Sequence, residues 1–127
     1  MQPTTAPEQT RDDGRIVTEA TVHAAQKLGL TNDELARVIG VSPSTGSRMR
    51  GGNHTLEPGT KRWEAALLLI RLYRSLGAIV ASDHSVMRQW LNQPNTDFGG
   101  AVPRELIADV SGLVHVVDYL DAHRAVV

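Results

Sequence analysis

The sequence predicts an all-α protein. Apolar residues recur three and four positions apart rather than alternating, and hydroxyl, acidic and glycine residues stand where helix caps belong, at the borders of those periodic runs. The most apolar stretch, WEAALLLIRLY, is interrupted by Arg71 and followed by Arg74, far short of a membrane span.

Taken in order, residues 1–14 are expected as a flexible tail, because Met1 to Thr10 have neither the basic start nor the apolar run of a signal peptide. Asp12 or Asp13 can cap a first helix from about Arg15 to Leu28. It offers Ile16, Ala20, Val22, Ala24 and Leu28 for burial, and Gly29 is placed to stop it. Thr31 opens TNDE, in which a cap hydroxyl and Glu34 can satisfy each other's free amides as a capping box. The second helix then carries Leu35, Ala36, Val38 and Ile39 and ends at Gly40.

In VSPSTGSRMRGG, Ser42 can cap a short third helix, Pro43 fits its first position, and Gly51-Gly52 ends it. A long fourth helix is expected from Gly59 or Thr60 to Val80. Its arc of Trp63, Ala66, Leu67, Leu69, Ile70, Tyr73 and Leu76 is wide enough for a central helix or a dimer contact. Asp83 can cap a fifth helix ending near Trp90-Leu91-Asn92, and QPNTDFGGAVP must turn compactly. Pro103 starts a sixth helix through about Val110, and Ser111 or Gly112 opens a last one reaching about Ala122. Two modules follow, residues 15–56 and 57–127.

Composition narrows the function. At 127 residues, 41% hydrophobic and 21% charged, the chain is globular, and its five aromatic residues are too few for a base-stacking single-strand binder. The formal charge is −1, within which Thr31 to Trp63 carry +2 and Glu64 to Val127 carry −2. The absence of cysteine excludes disulfides and thiolate zinc sites and suits a reducing cytoplasm. His23, His54, His84, His115 and His123 show no metal-ligand spacing, and no nucleophilic triad or phosphate-cradling loop is present. No catalysis, metal, cofactor or membrane association is expected.

Residues 31–51 read as a helix-turn-helix. Leu35, Ile39, Val41 and Met49 are its core positions, Ala36 is small where the second helix must approach, and Gly40 takes the turn. Ser42, Ser44, Thr45, Ser47 and Arg48 would face outward at a helix end that offers free amides to phosphate. Arg48 and Arg50 would contact phosphate or a guanine edge, and the hydroxyls phosphate or bases. So small a module with few basic residues calls for a homodimer reading two half-sites. Gly46 departs from the Val or Ile usual at its position, at a cost of about 1 kcal/mol in helix propensity. Either the helix orders only against DNA, or the protein's main work lies elsewhere.

In WLNQPNTDFGGAVPREL, residues 90–106, Trp90 and Phe98 can anchor a core while Pro94, Gly99, Gly100 and Pro103 shape the turn. The order WL..PN..F.G..P.EL, followed by Gly112 and VVDYLDA, also resembles the toxin-binding domain of the Xre/MbcA/ParS-type antitoxins, which follows an Xre-like helix-turn-helix. The resemblance spans about Thr31 to Ala122. It implies a cytoplasmic antitoxin of a type II pair that binds a RES-domain, NAD-consuming toxin, covers its active-site cleft and represses its own operon by binding operator DNA. Carried over, the motif positions are Trp90, Leu91, Pro94, Asn95, Phe98, Gly100, Pro103, Leu106, Gly112 and Leu120. The segment Leu120 to Val127, with His123 and Arg124, is a candidate to reach the cleft as a free end. The alternative is a stand-alone dimeric repressor whose C-terminal helices only dimerise.

Overall fold

The computed structural model describes residues 8–125, with side chains from 11 to 124, and the described residues are helical throughout their regular structure. The helices are α1 (Glu8–Leu28), α2 (Asn32–Ile39), α3 (Pro43–Arg50), α4 (Lys61–Ile79), α5 (His84–Asn92), α6 (Pro103–Leu106) and α7 (Val110–Ala125), with a 3-10 turn at Thr96–Phe98. No single helix among them is long and apolar enough to cross a membrane.

Most borders follow the predicted caps. Thr31 and Glu34 form the reciprocal capping box, and Ser42, Thr60 and Asp83 each accept an amide N–H from the first turn of α3, α4 and α5. Gly29 and Gly40 take left-handed φ values of 76° and 79° beyond α1 and α2, as a chain leaving a helix sharply requires.

The start of α1 differs from expectation. Of the proposed tail, residues 1–7 lie outside the described residues, while residues 8–14 are helical. Gly14 does not interrupt the helix because the 53–58 loop lies directly on it: a Cβ there would come within 2.9 Å of the Leu56 carbonyl oxygen. Thr18 secures that approach, donating to the Gly14 carbonyl at 2.7 Å and accepting from the Leu56 N–H at 2.8 Å. The buried face of α1 therefore runs through Gly14, Thr18, Thr21, Ala25 and Leu28, and Ile16, expected inside, is 55% exposed.

Helix α4 is the central element. Ala65, Ala66, Leu69, Leu72, Ser75 and Leu76 are buried between α1, α2, α5 and α7, and a fully buried leucine of this kind stabilises the fold by about 2 kcal/mol. The predicted arc is correct except at Leu67, which is 44% exposed. One continuous core joins Leu28, Leu35 and Met49 to Leu72, Met87, Leu91, Leu113 and Leu120, so it does not divide between residues 56 and 57.

The C-terminal borders also shift. Helix α6 stops after one turn instead of reaching Val110, and α7 continues to Ala125. Gly112 permits the stop, because a Cβ there would run into the Leu106 carbonyl that the bend brings against it.

Candidate functional site

Two surfaces qualify. The first is the exposed side of α3. Ser42 Oγ accepts the Thr45 N–H at 3.1 Å and donates to Thr45 Oγ1 at 2.9 Å, Ser44 Oγ lies 3.1 Å from it, and Arg48 donates to Thr45 Oγ1 at 2.9 Å. Ser42, Ser44, Ser47 and Arg48 are exposed and Thr45 is half-buried, and four of the predicted residues, Ser42, Ser44, Thr45 and Arg48, are joined in one hydrogen-bonded network. Arg50 does not join them. Its guanidinium turns inward and donates to the Leu30 carbonyl at 3.0 Å. His54 and Arg62 border the same face across an open concavity shared with Gly40, Val41, Ser42 and Thr45. Both follow the helix-turn-helix in the chain, and Arg62 belongs to the basic excess before Trp63.

The structure answers the question that Gly46 raised. Helix α3 forms in the free chain, and Gly46 is buried where it crosses α2. A Cβ there would lie 3.0 Å from the Ala36 Cβ and 3.1 Å from the Asn32 carbonyl oxygen. A Val or Ile would push α2 and α3 apart by a few tenths of an ångström or more, because these neighbours are helix backbone and a methyl with no rotamer to yield. Gly46→Val is expected to destabilise the protein by about 2 kcal/mol despite its better helix propensity. Thermal unfolding followed by circular dichroism should fall by about 6 °C; an unchanged midpoint would refute this account of the glycine.

The second surface is a chain of rings contributed by α5, the 93–102 loop and α7. Trp90 and Tyr119 stack with centroids 6.3 Å apart, Phe98 meets Tyr119 edge-on at 4.7 Å and Trp90 at 6.1 Å, His115 lies 5.3 Å from Phe98, and His123 lies 4.0 Å from Tyr119. The loop beneath is held internally: the Asn95 side chain accepts from the Asp97 N–H at 2.9 Å, and the Asn95 N–H donates to the Ala101 carbonyl at 3.0 Å. Gly99 and Gly100 supply φ values of 66° and 87°, which only glycine adopts without strain. The Tyr119 hydroxyl donates to Asp97 at 2.6 Å, and that bond, with some burial and the carboxylate's charge, holds the phenol above its ordinary range.

Among the residues expected to serve the toxin, Trp90, Asn95 and Phe98 are half-buried and Pro94, Gly100 and His123 exposed, and all six lie on this surface or its supporting loop. Pro103 and Leu120 do not, because both are buried. On α7, His115, Tyr119 and His123 stand four residues apart in one outward stripe, which turns the adjacent Leu120 toward the core. That i, i+4 spacing was the sequence signal for Tyr119 and His115. Arg124 is exposed on the last turn. The segment from Leu120 is not a free end: it stays helical through Ala125, and Asp121 accepts from buried Ser75 at 2.6 Å and pairs with Arg71 at 2.7 Å. Val126 and Val127 lie outside the described residues. No three His, Asp or Glu side chains converge as metal ligands among the described residues.

The two surfaces are tied together by Arg104, which donates to both carboxylate oxygens of Glu34 at 2.8 Å and to the Gly29 carbonyl at 2.7 Å. Burial alone would raise the Glu34 carboxyl, but the Thr31 N–H, the Arg104 charge and the hydrogen bonds of both residues outweigh it and hold the group below its ordinary 4.5. The unfolded chain therefore takes up this proton first. The stabilisation is complete above the ordinary value and disappears as pH falls through the lower folded one. Glu34→Gln is expected to melt below wild type at neutral pH, with the gap narrowing on acidification below about pH 4.5. A gap constant across that range would rule the linkage out.

Comparison with known proteins agrees with this arrangement. The family model of the antitoxin Xre-like helix-turn-helix domain matches residues 8–71, half of the chain, and that of the antitoxin Xre/MbcA/ParS C-terminal toxin-binding domain matches residues 75–125. The two meet inside α4, the shared core helix. No curated protein matches. Among solved structures, a chain of the M. tuberculosis MbcT-MbcA toxin-antitoxin complex superposes with a TM-score of 0.65 at 20% identity, covering 88% of this chain and 96% of that one, a likeness of fold.

Proposed function

We propose, from the premise that the chain belongs to the Xre/MbcA/ParS-type antitoxins, that it neutralises a RES-domain, NAD-consuming toxin and represses its own operon. The observation that supports the first half is the ring surface of Trp90, Phe98, Tyr119 and His123, carried by two helices and, at Phe98, by a loop closed on itself through Asn95. Aromatic side chains on a fixed backbone bury much area for little entropy loss, which suits a protein that inhibits by covering an active-site cleft. It works by occupancy, without a cofactor or a reaction of its own, in the cytoplasm where its operon is read.

The second half rests on the exposed hydroxyl and Arg48 face of α3. With few basic residues per copy, operator binding calls for two copies on two half-sites. Co-expression with the neighbouring open reading frame tests the first reading: the partner should be tolerated only with this chain and should co-purify with it. If it is tolerated alone and does not co-purify, the chain is a stand-alone repressor. For the second reading, Arg48→Ala should weaken retention of the upstream DNA in a gel-shift titration by about 1–3 kcal/mol, a factor of five to 150, with an unchanged melting temperature. Equal retention would remove Arg48 from the DNA contact.

A further inference from the structure

Three arginines converge on the turn between α1 and α2, and each comes from a different helix. The carbonyls at the end of α1 lack intrahelical donors. Here Gln26 and Lys27 accept from Arg88 of α5 at 3.2 Å each, Gly29 accepts from Arg104 of α6 at 2.7 Å, and Leu30 accepts from Arg50 of α3 at 3.0 Å. The Arg88 side chain lies across Gly29, where a Cβ would come within 3.2 Å of its Nε. Arg104 also grips Glu34, whose carboxylate caps the Thr31 N–H at 2.9 Å.

The origins of these side chains matter. Arg88 stands two residues before Trp90, and Arg104 follows Pro103 at the close of the ring-bearing loop, so both issue from the partner-facing half. Arg50 ends the DNA-facing helix two residues beyond Arg48. The two halves therefore meet on adjacent carbonyls, Gly29 and Leu30, of one short turn.

We propose that this turn is a joint through which Arg104 positions α3, so that a residue of the partner-facing half sets how the DNA-facing helix is presented. The inference rests on the reading of α3 as the DNA-binding element. Arg104 is a positioning residue and touches no DNA. Its planar fork places one nitrogen on the Glu34 carboxylate and the other on the Gly29 carbonyl, a spread that a lysine's single nitrogen does not offer. Arg50 holds the other side of the joint, anchoring the C-terminal end of α3 to Leu30.

Amide hydrogen exchange of the free protein tests the joint without DNA. Arg104→Gln should accelerate exchange in residues 43–50 by about ten-fold while the α7 core amides of Val116 and Val117 are unchanged. Arg104→Lys, which keeps the charge toward Glu34, should show the same pattern more weakly. Acceleration of both helices alike, or of neither, overturns the proposal. On a duplex carrying the DNA upstream of its own gene, Arg104→Gln should weaken binding about ten-fold with an unchanged salt slope, because no phosphate contact is lost. In an Arg50→Gln background the same change should cost less than about two-fold. Additive losses contradict the joint. Failure of the wild type to retain the duplex would defeat the DNA reading, and the exchange result would still decide whether Arg104 positions α3.

Discussion

Gly112→Ala is expected to destabilise the protein by about 3 kcal/mol or more and to lower its thermal midpoint by about 10 °C. The direction is opposite to that of helix propensity. Gly112 sits in the first turn of α7 without a positive φ, where replacing glycine by alanine ordinarily stabilises a helix by up to about 1 kcal/mol. Here the new methyl would collide with the Leu106 carbonyl, its carbon only 2.8 Å away, and both obstructing atoms are backbone. No rotamer can relieve such a contact. Relief requires α6 and α7 to separate, which would pull Ile107 and Leu113 out of the core and displace Arg104 from Glu34. Calorimetric unfolding reads the effect directly. An equal or raised midpoint would show that the α6–α7 bend is not set by this contact.

Gly112 also shows what the sequence could and could not convey. Its place in the motif was readable, but its reason was not, since a close approach to a carbonyl six residues earlier leaves no mark in composition or period. Features governed by a few adjacent residues were readable: the capping box of Thr31 and Glu34, the caps at Ser42, Thr60 and Asp83, and the left-handed Gly29 and Gly40. Features set by distant partners were not. Gly14 looks like a helix breaker until Leu56 is placed on it, and Gly46 looks like a defect until Ala36 is. Arg50 and Arg48 are equally basic on one short helix, yet only the position of Leu30 decides which turns inward. Pro103 and Leu120 illustrate the same limit within the motif: a fixed order of residues identifies a surface but does not separate the side chains that form it from those that hold it up.

Phe98→Ala is expected to weaken toxin neutralisation by about 2 kcal/mol or more, a loss of about thirty-fold in affinity. Phe98 is the middle of the ring chain, touching Trp90, His115 and Tyr119, and the 3-10 turn presents it half-buried rather than sunk in the core. Truncation therefore removes contact area at the centre of the surface and lets the rings around it loosen. Being half-buried, it should cost the free protein less stability than a core phenylalanine, whose loss costs about 3–5 kcal/mol. Titration of purified toxin activity, beside a melt of the free variant, separates the two effects. Tyr119→Phe provides the contrast, since it keeps every ring contact and removes only the bond to Asp97, so neutralisation should change by no more than about 1 kcal/mol. Should Phe98→Ala inhibit as tightly as wild type while remaining folded, the ring surface is not the part of the chain that meets the toxin, and Arg124, exposed on the last turn of α7 outside the ring chain, would take its place.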